Sequence, residues 1–136
     1  MNKQSITKFE TVMIIDDNAI DLYITSRMIT KNNFGKNILL YAKAQEAYQY
    51  LLENQHNLAV LPQIIFVDIY MPIMSGFEFS AAFEKLSDKF KKNCKVFIIS
   101  STIDDRDIVR TKTDPNIECF QVKPITKSFL DRIKSF

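Results

Sequence analysis

Five short apolar runs hardly alternate with polar residues, and this limits the fold more than any other feature of the chain. They fall at 12–15, 38–42, 64–67, 96–99 and 119–122, and are rich in Ile, Val, Leu and Phe. A strand with one wet face alternates apolar and polar residues. A run without alternation is covered on both faces, as in a parallel sheet held between helical layers. The segments between the runs are long enough for one crossover helix each. The expected order is βαβαβαβαβα, with right-handed crossovers placing helices on both faces.

The intervening segments carry helical spacing. Ile20, Tyr23, Ile24 and Met28 form one stripe, with Asp17 or Asn18 as its cap and Gly35 as its stop. Ala44, Ala47, Tyr48 and Leu51 form a second, and Phe79, Ala82, Phe83, Leu86 and Phe90 a third behind Ser75. The fourth helix, Asp104 to Thr113, has only Ile103, Ile108 and Val109 as anchors, and Pro115 ends it. Phe129, Ile133 and Phe136, capped by Thr126, form the last. This predicts five helices.

Charges stand at the ends of these runs. Asp16 and Asp17 close the first, Asp68 the third, and Lys123, followed by Pro124, the fifth. Doubly wound sheets bind ligands beyond the carboxyl ends of their strands. Three carboxylates brought together there repel one another unless a cation joins them. The outline is that of a metal and phosphoryl site. Gly35 and Gly76 are the only glycines, so neither G-x-G-x-x-G nor G-x-x-x-x-G-K-[ST] can be built. Phosphate would have to be held by metal and side chains.

The remaining composition sets bounds. A chain of 136 residues fits one domain. Its net charge of +2 gives no polyelectrolyte argument for nucleic acid. Residues 1–10 form a polar extension with no signal-peptide core, and no apolar stretch approaches the roughly 20 residues of a membrane span. Cys94 and Cys119 lack metal spacing and read as free thiols of a reducing cytoplasm. His56 is alone in a polar loop and reads as solvent-exposed.

Several further residues fall at particular strand ends: Met71-Pro72 and Gly76 after the third run, Ser100 after the fourth, and Lys123-Pro124 after the fifth. With Asp16-Asp17 and Asp68, they make residues 11–136 resemble the receiver domain of bacterial two-component response regulators, of the stand-alone chemotaxis-regulator type. The resemblance implies a flavodoxin-like fold with strand order 2-1-3-4-5. It implies that Asp68 accepts a phosphoryl group from a phosphohistidine. The implied Mg²⁺ ligands are Asp17, Asp68 and the main-chain carbonyl of Tyr70, with Asp16 acting through water; few protein ligands suffice for this ion. Lys123 would pair with Asp68 at rest and with a phosphoryl oxygen afterwards. Ser100 would donate to the phosphoryl group, and Phe120 would be the aromatic switch that follows it. Tyr70 and Thr102 flank the phosphoryl position. They lack the amide or acidic groups with which rapidly self-hydrolysing relatives orient water, so a shielded, long-lived phosphate is expected.

The implied partners are a sensor histidine kinase or a histidine phosphotransfer protein, and a downstream target. The surface for that target would be the fourth helix, fifth strand and fifth helix, where Ile108, Val109, Gln121 and Phe129 are candidates. Because the chain ends after its last helix, it is expected to act by binding or phosphorelay rather than as an enzyme. Two other readings fit a site of this outline. An aspartyl-nucleophile Mg²⁺ phosphatase places Asp-x-Asp after its first strand, which Asp16-Asp17-Asn18 does not supply. A non-phosphorylated scaffold of the same fold would not need Asp68, Lys123 and the Asp pair together.

Overall fold

In the computed structural model, residues 6–136 are described. Five parallel strands, β1 (Phe9–Ile15), β2 (Gly35–Tyr41), β3 (Ile64–Asp68), β4 (Lys95–Ser100) and β5 (Ile117–Val122), form one sheet in the order β2-β1-β3-β4-β5. The helices are α1 (Ala19–Lys31), α2 (Ala44–Asn54), α3 (Gly76–Phe83), α4 (Asp88–Lys92), α5 (Asp105–Thr113) and α6 (Lys127–Arg132), with a 3-10 turn at Leu58–Val60.

The five expected runs are the five strands, and their lack of alternation has the expected cause. Met13, Ile15, Ile65, Val67, Val96 and Ile98 face one core with Ala47 and Leu51 of α2 and Phe79 and Phe83 of α3. Val12, Ile14, Ile64, Phe66, Phe97 and Ile99 face the other, with Ile29 of α1 and Phe129 and Leu130 of α6. Burying each such side chain stabilises the fold by about 1.5–3 kcal/mol, so a one-residue slip of register is strongly disfavoured. β1 begins at Phe9, inside the segment read as an extension. Phe9 is buried, with its ring 5.0 Å from that of Phe34. Residues 1–5 of that segment lie outside the described residues.

The expected five helices are corrected to six among the described residues, because the third crossover is broken. After Phe83 the backbone tightens: Lys85 N bonds to Ala82 O and Leu86 N to Phe83 O, each at 3.0 Å. Ser87 then turns its N–H out of the helix to Gln55 Oε1 at 2.8 Å, and its Oγ accepts from Phe90 N to cap α4. The aromatic stripe survives the break. Phe79, Phe83, Leu86 and Phe90 are all buried, and the rings of Phe83 and Phe90 lie 5.6 Å apart.

Two details of the first crossover also differ from expectation. Helix α1 stops at Asn32 and Asn33 takes the left-handed conformation (φ 52°), while Gly35 belongs to β2. A Cβ at Gly35 would stand 2.6 Å from Val12 Cγ2, so close packing requires glycine there. Helix α1 is also rotated relative to its expected stripe. Thr25 and Ile29 are buried with Leu22 and Met28 partly covered, whereas Ile20, Tyr23 and Ile24 are exposed.

Candidate functional site

Parallel register brings the charged strand ends together. Ile15 lies opposite both Tyr41 and Val67, Asp68 opposite Ile99, and Ser100 opposite Val122. The residues that follow therefore leave the sheet along one edge. Asp16 is fully buried, and its N–H bonds to Tyr41 O at 3.0 Å. Its Oδ1 accepts from Asn18 N at 2.9 Å, while Asn18 Oδ1 caps α1 by accepting from Asp21 N at 3.0 Å. One carboxylate oxygen each from Asp16, Asp17 and Asp68 lies within 4.8 Å of the other two. An oxygen-only set of this kind suits a hard divalent cation.

Lys123 enters from the end of β5. Its N–H bonds to Ser100 O at 2.8 Å, and the Lys123–Pro124 peptide is cis. Its ammonium lies 2.7 Å from Asp16 Oδ2, 2.9 Å from Asp21 Oδ2 and 3.5 Å from Asp68 Oδ1. Asp68, the partner that the resemblance implies for Lys123, is the farthest of the three carboxylates. Burial pushes the Asp68 carboxyl up to about 6, against the pull of Lys123, and the charges of Asp16 and Asp17 add to the rise. Burial disfavours the Lys123 ammonium, but bonds to Asp16 and Asp21 and the charge of Asp68 outweigh it and hold the group above its ordinary value.

Gly76 is essential to the shape of the site. Its N–H bonds to Ile69 O at 2.8 Å, and a Cβ there would stand 2.5 Å from the carbonyl oxygen of Asp68. Ser75 begins α3 with a reciprocal capping box to Glu78, which fixes the loop after β3. In that loop Ile73 takes φ 73° and is exposed. Tyr70 is exposed, and its hydroxyl donates to Asp107 on α5.

Ser100 is buried at the end of β4, where its Oγ accepts from Thr102 N at 3.2 Å. Phe120 sits on β5 opposite Ile98, half-buried against the first core. Cys94 and Cys119 are free thiols, and His56 is exposed. Among the described residues, no helix is long and apolar enough to cross a membrane.

Asp21 is the member of this site that the sequence reading omitted. Its signal was available, since it is an acidic residue in the first turn of α1, the helix that starts directly after the Asp16-Asp17 strand end.

A doubly wound parallel sheet with an aspartate trio and a lysine at its carboxyl edge is the arrangement of a phosphoacceptor signalling domain. The chain belongs to the response regulator receiver domain family, whose model matches residues 12–133. It is similar to a candidate two-component response regulator of Arabidopsis thaliana, 27% identical over 139 residues. That alignment covers 99% of this chain and 22% of the plant protein, so the chain spans about a fifth of its relative's length. Two solved structures share the fold. A two-component response regulator from Cytophaga hutchinsonii has a TM-score of 0.82 at 24% identity, covering 90% of this chain and 92% of that one. A response regulator receiver protein from Dyadobacter fermentans has a TM-score of 0.78 at 26% identity, covering 90% and 96%.

Proposed function

We propose that Asp68 accepts a phosphoryl group from the phosphohistidine of a sensor kinase or phosphotransfer protein, with Mg²⁺ bound by the aspartate trio. The convergence of Asp16, Asp17 and Asp68, with Lys123 beside them, carries this reading. Asp17, Asp68 and the main-chain carbonyl of Tyr70 would hold the ion directly, and Asp16 through water. The bound ion would supply positive charge for the equatorial phosphoryl oxygens.

The chain's own residues do the rest. Asp68 presents a carboxylate oxygen in line with the donor bond, at the end of a strand too well packed to wander. Lys123 answers the negative charge that arrives. Ser100 turns its Oγ from Thr102 toward a phosphoryl oxygen, and Phe120 follows into the space released. Tyr70, tied to Asp107, and Thr102 stand over the acyl phosphate and hinder water. The changed face is that of α5, β5 and α6, where Ile108, Val109 and Gln121 would meet a downstream target; Phe129, the fourth candidate, is buried in the second core and is withdrawn from that surface.

The donor has to approach the carboxyl edge, and that approach is apolar. Ile20 and Ile24 of α1, Tyr70 and Ile73 after β3, and Ile103 after β4 are all exposed there. A cleft of about 260 Å³ between α1 and the Lys123–Pro124 turn is lined by Asp21, Ile24, Thr25, Ser101, Lys123 and Pro124. Free thiols at Cys94 and Cys119 accord with a cytoplasmic setting.

The test is intact-mass measurement after incubation with Mg²⁺ and acetyl phosphate. A gain of one phosphoryl group in the wild type and none in Asp68→Asn is expected. Steady consumption of the donor with no adduct would count instead for phosphatase turnover.

A further inference from the structure

Lys123 has three carboxylate partners, and Asp68 is the farthest. Its ammonium makes hydrogen bonds of 2.7 Å to Asp16 and 2.9 Å to Asp21, but stands 3.5 Å from Asp68. Asp21 is not one of the metal-holding trio. It is placed by the first turn of α1, whose cap Asn18 accepts its N–H. Three aspartates therefore share one lysine.

We propose that Asp21 is a positioning residue for phosphoryl transfer: it draws Lys123 toward α1 at rest and releases it when a phosphoryl group arrives on Asp68. The inference rests on the phosphoacceptor reading of Asp68. In the transfer, an Asp68 oxygen forms the O–P bond while the donor P–N bond breaks, and the imidazole nitrogen keeps the electron pair. With acetyl phosphate the P–O bond breaks and acetate leaves. Lys123 stays protonated throughout and contributes only hydrogen bonds and charge.

An ammonium has three N–H bonds, and two are already directed at carboxylates at full hydrogen-bond strength. The third faces Asp68 from 3.5 Å, beyond ordinary hydrogen-bond range, so to close on a phosphoryl oxygen there the ammonium moves and loosens one of the two. Burial decides which. The Asp16 side chain is 0% exposed, so abandoning it would break a fully buried ion pair and leave that carboxylate only the Asn18 N–H among protein donors. The Asp21 side chain is 31% exposed and can be taken up by water. Asp21 is thus the partner that can be surrendered, and until then it opposes transfer in two ways. It occupies the lysine, and it adds negative charge where an anionic donor has to approach.

Trifluoroberyllate with Mg²⁺, a phosphoryl mimic, tests this without turnover. Asp21→Asn is expected to bind it about fivefold more tightly than the wild type, the scale of a half-exposed ion pair. Its initial rate with acetyl phosphate should rise to a similar extent, and Asp21→Glu should return both values toward wild type. In the wild type itself, the ¹³C carboxyl resonance of Asp21 should shift when trifluoroberyllate binds. Unchanged or weaker binding by Asp21→Asn, or an unmoved Asp21 resonance on binding, would overturn the proposal. A wild type that binds no trifluoroberyllate at all would instead sink the phosphoacceptor reading beneath it.

Discussion

At the scale of single residues, Asp68 pays for its reactivity in stability. Its folded carboxyl is held up to about 6 by burial, above the ordinary aspartate value. Between those two values the folded protein binds more protons than the unfolded chain, so Asp68's contribution is fully present in acid and lost as pH rises through about 6. Asp68→Asn removes the buried charge. In the presence of chelator, it should stabilise the protein at pH about 7 by about 1–2 kcal/mol after solvent screening. The gain should vanish near pH 4. Urea unfolding at both pH values checks this, and equal stability near neutrality would refute it. Gly76 sets a second residue-scale demand. The atom that a Cβ would strike is the Asp68 carbonyl, 2.5 Å away, and backbone at the end of a fully buried strand has no room to give. Gly76→Ala should cost at least about 1–3 kcal/mol, as overpacking does, and should slow phosphorylation of Asp68 as well. Loss of stability with an unchanged acetyl phosphate rate would mean that the clash is absorbed elsewhere.

Secondary-structure elements differ in how plainly the sequence marks them. The strands were legible because burial on both faces leaves an unbroken apolar run, and their closing charges located the site. Asn18, Ser75 and Thr126 each cap a helix, as their side chains suit. The break between α3 and α4 was hidden because its aromatic stripe stays in phase with one core. The element that interrupts it is Gln55, 32 residues away in sequence, bonding to Ser87. Helix α1 misled for another reason: Thr25 occupies its most buried face, so the apolar spacing pointed outward. Ser87→Ala should therefore cost about 1 kcal/mol through loss of the α4 cap, measurable by thermal unfolding, with phosphorylation unaffected. The loop after β3 offers a functional test at the same scale. Tyr70 ties this loop to Asp107 on α5, so it links the acceptor edge to the helix expected to respond. Tyr70→Asn removes the ring and supplies an amide that can orient water. Its acyl phosphate should decay about tenfold faster, below the usual contribution of a positioned general acid or base. Tyr70→Phe keeps the ring and should fall between the two. No acceleration in Tyr70→Asn would end the shielding role of Tyr70.

At the scale of the whole molecule, the fold separates chemistry from recognition. The reacting groups sit on buried strand ends, while the exposed apolar residues around them come from α1 and from the loops after β3 and β4. On the proposed reading, a small donor would need only the strand ends, whereas a protein donor would need the rim as well. Ile73 separates the two requirements most cleanly. It is 83% exposed and holds a left-handed backbone (φ 73°) that a β-branched residue adopts only at a cost of about 1–3 kcal/mol. Nothing in its own packing offsets that cost, and the prediction is that contact with a protein donor does. Asparagine tolerates the same backbone far better. Ile73→Asn should therefore raise stability by about 1 kcal/mol and leave the acetyl phosphate rate near wild type. It should also slow transfer from a phosphorylated histidine phosphotransfer domain several-fold, and Ile24→Asp on α1 should do the same without the gain in stability. Rapid-quench transfer assays beside urea unfolding read both quantities on the same samples. A variant that is stabilised yet receives phosphate from the protein donor at the wild-type rate would leave the strain at Ile73 without a function and would remove the loop after β3 from the docking rim.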